Sequence, residues 1–247
     1  MVVASSLTSL NQHRLTGDAQ ILKQVFNTVD GASCPHTFNF HMHTVCSDGK
    51  LTPAALMEQV IAIGLQAFAI TDHHSIEGFK QANSWLEDWR WRHPTPLGQR
   101  RTDDVLGGSR PRLFTGVEIT AVLAGIEVHI LGYGFAPNHG AIAPYLKGVA
   151  PKAELRSAES VIQAIQAAGG LAVLAHPARY RLSTEELVAS GAELGMDGVE
   201  TYYAYNNPEE WQPCPRHTPE VEGLAQRYGL LTTCGTDTHG VNLLRRL

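Results

Sequence analysis

The fold is constrained most strongly by a regular alternation of short apolar runs with amphipathic segments of helical length. The runs that predict strands are 37–43, 65–71, 113–120, 126–133, 171–175, 198–202 and 230–234. The segments that predict helices are 18–29, 52–63, 75–91, 151–168, 183–190 and 219–228. Such alternation predicts an α/β protein with a parallel sheet, and a length of 247 residues favours a closed or distorted barrel over an open doubly wound sheet.

Turn and cap residues support several of these boundaries. Thr52 and Pro53 predict the start of a helix, and Gly64 predicts its end. Residues 124–125, between two apolar runs, predict a hairpin turn.

Domain organisation follows from the same pattern. Residues 1–36 show weak periodicity and are predicted to form an N-terminal extension, and residues 37–247 are predicted to form one domain. Residues 93–111 are rich in Pro, Gly and charged residues, which predicts a surface insertion within that domain.

Charge and cysteine usage argue against several partners. Nineteen Lys and Arg residues against 24 Asp and Glu give a net charge of -5, which is unsuited to coating duplex nucleic acid. The apolar stretches are far shorter than the ~20 residues of a membrane helix, so no membrane partner is expected. The 4 cysteines are scattered and the N-terminus lacks a secretory pattern, so a cytoplasmic location is predicted. The oligomeric state is left open.

Histidines and carboxylates concentrate at the ends of the predicted strands. His41 and His43 lie two residues apart, so both side chains point the same way on an extended strand, and Asp237 and His239 repeat this spacing. Five further groups of these types are Asp48, His73, Glu118, His129 and His176. Imidazoles and carboxylates together suit Mn, Zn or Fe, and there are more of them than one ion can use. Two or three divalent metal ions are therefore predicted.

Each of these residues has a structural explanation when it is taken alone. A single His at a strand end is more often a hydrogen-bonded structural residue, and a strand-end carboxylate commonly caps the next helix. The two pairs His41/His43 and Asp237/His239 occur together with the five other groups at one end of the predicted sheet, and this combination favours metal binding over the structural explanations. His74 is not counted among the ligands.

Six motifs occur in an order that resembles the polymerase and histidinol phosphatase (PHP) domain family. They are Phe40-His41-Met42-His43-Thr44 with Ser47-Asp48-Gly49, Ile70-Thr71-Asp72-His73, Gly116-Val117-Glu118, Val128-His129, Leu174-Ala175-His176-Pro177 and Gly235-Thr236-Asp237-Thr238-His239-Gly240. The resemblance implies a distorted seven-stranded (β/α) barrel with a trinuclear metal centre. The motif set is most similar to the branch of nucleoside 3',5'-bisphosphate phosphatases and 5'-to-3' oligoribonucleases.

The resemblance also implies how the ligands are divided among three ions. A first ion would be held by His41, His43, Glu118 and Asp237; a second by Asp48, His73 and His239; and a third by His129 and His176, with Glu118 bridging. Because every ligand position of the family is filled by a suitable side chain, the resemblance implies a working enzyme.

We therefore predict a metal-dependent phosphoesterase that acts through a metal-activated hydroxide on a small phosphorylated metabolite, a nucleotide or a short oligonucleotide. Two alternatives remain open: a metal-stabilised, non-catalytic binding or regulatory module, and a phosphatase of the histidinol phosphatase type. A metal-dependent amidohydrolase is disfavoured because no Lys lies at a predicted strand end where it could bridge two ions.

A phosphate group also favours cationic donors beside the metals. Arg179, three residues after His176, is the best placed by sequence, and Arg156 is a weaker candidate. Either could instead form a structural ion pair, and for Arg179 the nearest carboxylates in the sequence are Glu185 and Glu186.

Overall fold

A computed structural model describes residues 14–94 and 110–247 of the chain. The helices are α1 Gly17–Phe26, α2 Pro53–Ile63, α3 Glu77–Arg92, α4 Ala158–Ala167, α5 Thr184–Glu193 and α6 Thr218–Tyr228. The strands are β1 Phe38–Asn39, β2 Ala67–Ala69, β3 Arg112–Phe114, β4 Gly116–Leu123, β5 Ile126–Tyr133, β6 Leu171–Leu174, β7 Gly198–Tyr202 and β8 Leu231–Cys234. The predicted α/β class is confirmed.

Several helix ends match the signals read from the sequence. The Thr52 hydroxyl accepts a hydrogen bond from the Ala55 amide, Pro53 is the first residue of α2, and Gly64 closes the helix with a left-handed φ of 83°. These contacts satisfy backbone groups that a helix end otherwise leaves unpaired. Most of the predicted insertion 93–111 and the first part of the predicted extension 1–36 lie outside the described residues.

The predicted helix 151–168 is wrong in one respect, because the segment is broken near its start. A short 3₁₀ turn covers Ala153–Arg156, and α4 begins only after Ser157. Ser157 has an extended backbone, and its hydroxyl accepts a hydrogen bond from the Ser160 amide. Since an N-cap residue must leave the helical conformation, this cap interrupts the segment.

The strands form two sheets. β1, β2 and β3 make a parallel three-stranded sheet, and β4 to β8 make a five-stranded sheet in sequence order. The hairpin predicted at residues 124–125 is confirmed. The predicted parallel arrangement holds for β1 to β3 and for β6 to β8, whereas β5 runs antiparallel to both β4 and β6. The cause is the tight turn at Ala124 and Gly125, whose φ values of 48° and 79° are those of a two-residue hairpin turn.

Backbone hydrogen bonds connect the two sheets beyond the ends of the regular strands. The Phe40 amide donates to the Cys234 carbonyl at 3.0 Å, next to β1 and β8. The His74 amide donates to the Glu118 carbonyl at 2.9 Å, next to β2 and β4. Among the described residues, the regular ladders form these two sheets.

Helix α1 packs on the sheets although it belongs to the predicted N-terminal extension. Leu22 and Phe26 are fully buried in one apolar cluster with Phe40 and Tyr133. The rings of Phe26 and Phe40 meet edge to face, with centroids 5.0 Å apart. The division at residue 36 stays a prediction, but α1 contributes to the same core as the strands.

The described part of the chain holds no helix that is both long enough and apolar enough to cross a lipid bilayer.

Candidate metal centre

The residues predicted as ligands come together at one end of the sheets. Glu118 lies within β4 and His129 within β5. The other seven lie in the segments that follow strands: His41, His43 and Asp48 after β1, His73 after β2, His176 after β6, and Asp237 and His239 after β8. Because the carboxyl ends of parallel strands share one edge, side chains distant in sequence converge there.

Four buried side chains form a closely spaced set that we call the inner group: His41, His43, Glu118 and Asp237. His41 Nε2 lies 3.1 Å from Glu118 Oε2 and 3.3 Å from Asp237 Oδ1. His43 Nε2 lies 3.0 Å and 3.3 Å from the same two oxygens. Ligand atoms bound tetrahedrally at about 2.1 Å lie about 3.4 Å apart, so these separations suit one shared ion.

Glu200, in the buried strand β7, holds the Nδ1 side of His41. Its Oε1 lies 2.9 Å from His41 Nδ1, and its Oε2 accepts a hydrogen bond of 2.8 Å from the His176 amide. A carboxylate only accepts, so Nδ1 carries a proton, and Nε2 is the ring atom that can bind an ion. Nε2 faces Glu118 and Asp237, and together with Glu200 these carboxylates outweigh burial and raise the pKa of His41 well above its usual value, so a positive charge is favoured at this position as a proton or as a metal ion.

Sequence analysis missed Glu200, although a charged residue inside the apolar run 198–202 was a usable signal. A second observation supports a cation. His43 Nε2 is buried and lies 3.0 Å from Glu118 Oε2, but it makes no hydrogen bond of suitable geometry among the described residues. A buried nitrogen without a partner costs about 1–3 kcal/mol, so a metal ion fits this donor set.

A second set, the outer group, consists of His43, Asp48, His73 and His239. Asp48 Oδ2 lies 3.2 Å from His239 Nε2 and 3.6 Å from His73 Nε2. Asp48 Oδ1 lies 3.5 Å from His43 Nδ1. The outer group therefore contains Asp48, His73 and His239, the three residues predicted for the second ion. It also contains His43, which belongs to the inner group as well.

A third group combines His73, Glu118 and His129. His129 Nδ1 lies 2.7 Å from Glu118 Oε1, and His73 Nδ1 lies 3.6 Å from Glu118 Oε2. His176, predicted for the third ion, has its Nε2 3.3 Å from Glu118 Oε1 but does not belong to this mutually close set. Glu118 is thus the carboxylate around which these imidazoles gather.

Burial and neighbouring charges act in opposite directions on these groups. Burial lowers the pKa of His43, but its contacts with Asp237 and Glu118 outweigh burial and raise the pKa to about 9. Burial lowers the pKa of His73 to about 4. Burial raises the pKa of Glu118, but His41 and His129 outweigh it and hold the pKa well below its usual range. His73 is therefore neutral and Glu118 ionised near pH 7, as metal ligands must be, whereas His43 would have to release its proton when it binds an ion.

Asp72 supports the loop that carries Asp48. Its Oδ1 accepts hydrogen bonds of 2.7 Å from the Thr44 amide and from the Ser47 hydroxyl. A side chain at Gly78 is excluded, because a Cβ there would lie 2.0 Å from Asp72 Oδ2. The Thr-Asp-His motif therefore supplies both a candidate ligand and a residue that shapes the neighbouring loop.

The other oxygen of Asp237 accepts hydrogen bonds from three side chains. Tyr203 Oη donates at 2.7 Å, Arg246 Nε at 2.8 Å and an Arg179 amino nitrogen at 3.0 Å. Arg179 thus lies at the metal centre, but it is paired with Asp237 and not with Glu185 or Glu186. Sequence analysis missed Tyr203 and Arg246, because their contacts cross from one strand end to another.

A cavity of about 340 Å³ lies beside this cluster. Its wall includes Arg179, Tyr203, Tyr205, Asn206, His217 and Arg246. Arg156 is not part of this wall; its guanidinium forms an ion pair with Glu127. Two guanidinium groups give this cavity a positive side next to the candidate metal ligands.

His74, which was not counted as a ligand, is absent from all three groups found among the described residues. Its Nε2 lies 3.1 Å from the Thr120 hydroxyl, and its φ of 53° is left-handed.

Comparisons with known proteins agree with this arrangement. Residues 39–147 match the PHP domain model. The 5'-3' exoribonuclease of Haemophilus influenzae is 24% identical over 252 residues, which cover 82% of this chain and 89% of that protein. The 3',5'-nucleoside bisphosphate phosphatase of Chromobacterium violaceum is 28% identical over 131 residues, which cover 53% of this chain and 39% of that protein.

Among solved structures, a candidate metal-dependent phosphoesterase from Bifidobacterium adolescentis superimposes with a TM-score of 0.61 at 24% identity. The match covers 83% of this chain and 88% of that one, and it supports the fold alone. The matched segment 39–147 begins just before His41 and includes Glu118 and His129. The match over residues 39–147 confirms the resemblance to the PHP domain family that the motifs predict.

Proposed function

We propose that this chain is a metal-dependent phosphoesterase that hydrolyses a phosphate ester of a small phosphorylated metabolite, a nucleotide or a short oligonucleotide. The observation that carries the proposal is the inner group. Two imidazole nitrogens face the same two carboxylate oxygens at 3.0 to 3.3 Å, and Glu200 binds the other nitrogen of the His41 ring at 2.9 Å, which leaves Nε2 for an ion. The similarity to an exoribonuclease and to a nucleoside bisphosphate phosphatase supports phosphate esters as the substrate class.

The proposed ligands are the nine side chains predicted from the sequence, and the proposed cofactors are two or three ions of Mn, Zn or Fe. The inner group would hold one ion and the outer group another, while Glu118, His129 and either His73 or His176 would hold a third. When bound, clustered divalent ions supply an activated water and neutralise charge on a phosphoryl group.

The side chains of this centre then have separate tasks. Glu118 places one negative charge among five histidines, whose ring nitrogens lie 2.7 to 3.6 Å from its two oxygens. Arg179, which is 38% exposed on the cavity wall, would donate to phosphate oxygens while it keeps its bond to Asp237. Arg156 is a weaker candidate for this contact, because its guanidinium already pairs with Glu127.

We also propose that the two sheets form one distorted barrel. The support is the set of backbone hydrogen bonds that join the chain after β1 to the chain after β8, and the chain after β2 to β4. Met42 pairs with Thr238 and His73 with Glu118 as isolated parallel bridges. A cytoplasmic location stays a prediction from the sequence.

The function is tested with protein stripped of metal by a chelator and then reloaded separately with Mn²⁺, Zn²⁺ or Fe²⁺. Phosphate release is measured on nucleoside monophosphates, nucleoside 3',5'-bisphosphates, histidinol phosphate and short oligoribonucleotides. Metal-dependent turnover that is lost in His41→Ala is expected. Absence of turnover with every ion between pH 6 and 9 would contradict the proposal.

The same experiment separates the remaining alternatives. A non-catalytic module would bind metal and gain melting temperature without turnover. A phosphatase of the histidinol phosphatase type would prefer histidinol phosphate over every nucleotide.

The phosphate contact is tested with Arg179→Lys, because a Lys cannot offer two parallel donors to a phosphate. A fall in kcat/KM of about one to two decades with unchanged metal content is expected for one lost charge-assisted contact. Unchanged kinetics would assign Arg179 to the support of Asp237 alone.

A further inference from the structure

The segment 242–247 holds the loop that carries Asp237 and His239. Arg246 contacts this loop twice: its side-chain Nε donates to Asp237 Oδ2 at 2.8 Å, and its carbonyl accepts from the His239 amide at 2.6 Å. Leu243 anchors the segment, because its side chain is fully buried and its amide donates to Gln59 Oε1 at 2.9 Å. Arg246 is therefore fixed relative to two candidate ligands at once.

The three donors on Asp237 Oδ2 leave that oxygen no free lone pair. A carboxylate oxygen has two lone pairs, and Tyr203, Arg179 and Arg246 all donate to this one. Oδ1 instead faces His41 Nε2 and His43 Nε2, each at 3.3 Å. Asp237 can thus offer one oxygen to an ion, and the direction of that oxygen is set by the groups that hold the other.

We propose that Arg246 and Tyr203 are positioning residues that keep Asp237 a one-oxygen ligand of the inner group, and that Arg246 also fixes the backbone of His239. This inference rests on the proposed function, because it presupposes an ion in the inner group. Arg246 and Tyr203 are better suited to the role than Arg179, because Arg179 is 38% exposed whereas Arg246 is 19% and Tyr203 2% exposed.

Loss of either donor should weaken metal binding more than it weakens folding. Without Arg246 or Tyr203, Asp237 can rotate and Oδ1 loses its fixed direction toward His41 and His43. Removing groups that orient metal ligands typically costs 10–100-fold in metal affinity, and this is the loss expected for Arg246→Met and Tyr203→Phe. Arg246→Lys, which keeps a charged donor, should recover part of the affinity.

The experiment measures Mn²⁺ and Zn²⁺ dissociation constants by competition with a fluorescent chelator, the melting temperature of the metal-free protein, and the KM of the metal-loaded protein for a phosphate ester. Arg245→Met and Tyr205→Phe are the matched controls, because Arg245 is exposed and the Tyr205 hydroxyl accepts from the Ala178 amide instead of contacting Asp237. Weaker metal binding in Arg246→Met and Tyr203→Phe, with control affinities unchanged, would support the inference.

Four results would overturn it. A lower melting temperature of the metal-free variants with unchanged metal affinity would make the residues merely structural. A raised KM with unchanged metal affinity would make Arg246 a substrate contact. If the wild-type protein binds neither ion, the proposed function is overturned together with this inference. If the wild type binds an ion and the variants bind it equally well, this inference alone is overturned.

Discussion

The inner and outer groups share His43 but are built from different kinds of structure. The inner carboxylates, Glu118 and Asp237, are 1% and 2% exposed, and Asp237 is held by three further side chains. The outer carboxylate, Asp48, is 52% exposed and lies in a loop that Asp72 shapes through Thr44 and Ser47. The separations in the outer group, 3.2 to 3.6 Å, are also longer.

This difference suggests different tasks for the two groups. A buried donor set whose own ligands are hydrogen-bonded binds an ion tightly and exchanges it slowly, because water reaches it poorly. An exposed carboxylate on a loop binds an ion more weakly and leaves room for a substrate oxygen. The inner group is therefore expected to provide stability and the outer group to provide access for the substrate.

The largest effect is expected for Glu118→Gln, which removes the carboxylate of the inner and third groups together. An amide carries no charge to balance the ions, so activity should fall by about three orders of magnitude, equivalent to about 4 kcal/mol in the activation barrier. Steady-state phosphate release and elemental analysis measure the change. Glu127→Gln, an exposed neighbour on β5, is the control. Near wild-type turnover in Glu118→Gln would refute its central role.

Asp48→Asn should affect the outer group alone. Loss of one carboxylate ligand from an exposed site is expected to remove one ion per chain and to lower kcat about 100-fold, the loss of about 2.7 kcal/mol. The inner group should keep its ion, since none of its four members is changed. Metal stoichiometry after dialysis measures this difference. If both ions were lost together, the proposed independence of the two groups would be wrong.

Glu200→Gln tests the inner group without touching a ligand. The Gln amide can still accept a hydrogen bond but lacks the charge that stabilises the proton on His41 Nδ1, so metal affinity should fall about 10–100-fold. Chelator competition with Mn²⁺ or Zn²⁺ measures the loss. Glu222→Gln is the control, because Glu222 accepts a hydrogen bond from the Tyr202 hydroxyl and no candidate ligand. Equal losses in both variants would argue against a specific role for Glu200.

The smallest effect is expected for Ser47→Ala, which removes the hydroxyl that donates to Asp72 Oδ1 at 2.7 Å and also lies 3.2 Å from Asp48 Oδ1. The lost contact with Asp72 is worth about 1 kcal/mol, so the outer ion should bind about 5-fold more weakly. Titration of the weaker ion by calorimetry measures this. A change in the affinity of the tighter ion would contradict the assignment of Ser47 to the outer group.

Local sequence rules were sufficient where the physical cause is local. The spacing of His41 and His43 placed both side chains on one side of the chain, and Thr52, Pro53 and Gly64 marked the ends of α2. The PHP motifs extended this to a set of ligands. The hairpin predicted at residues 124–125 is confirmed, and because this left-handed turn reverses the chain, β5 is antiparallel in an otherwise parallel arrangement.

The amino-acid sequence by itself determined the α/β class, the candidate ligands and their occurrence at strand ends, because side-chain periodicity and turn chemistry act over a few residues. Only the tertiary structure decided that Glu200 orients His41, that Arg246 and Tyr203 hold Asp237, and that His73 joins Glu118 and His129. These pairs are brought together by strand order and by the packing of segment 242–247. The physical reason is that a contact between residues tens of positions apart depends on the register of whole strands, which no local pattern specifies.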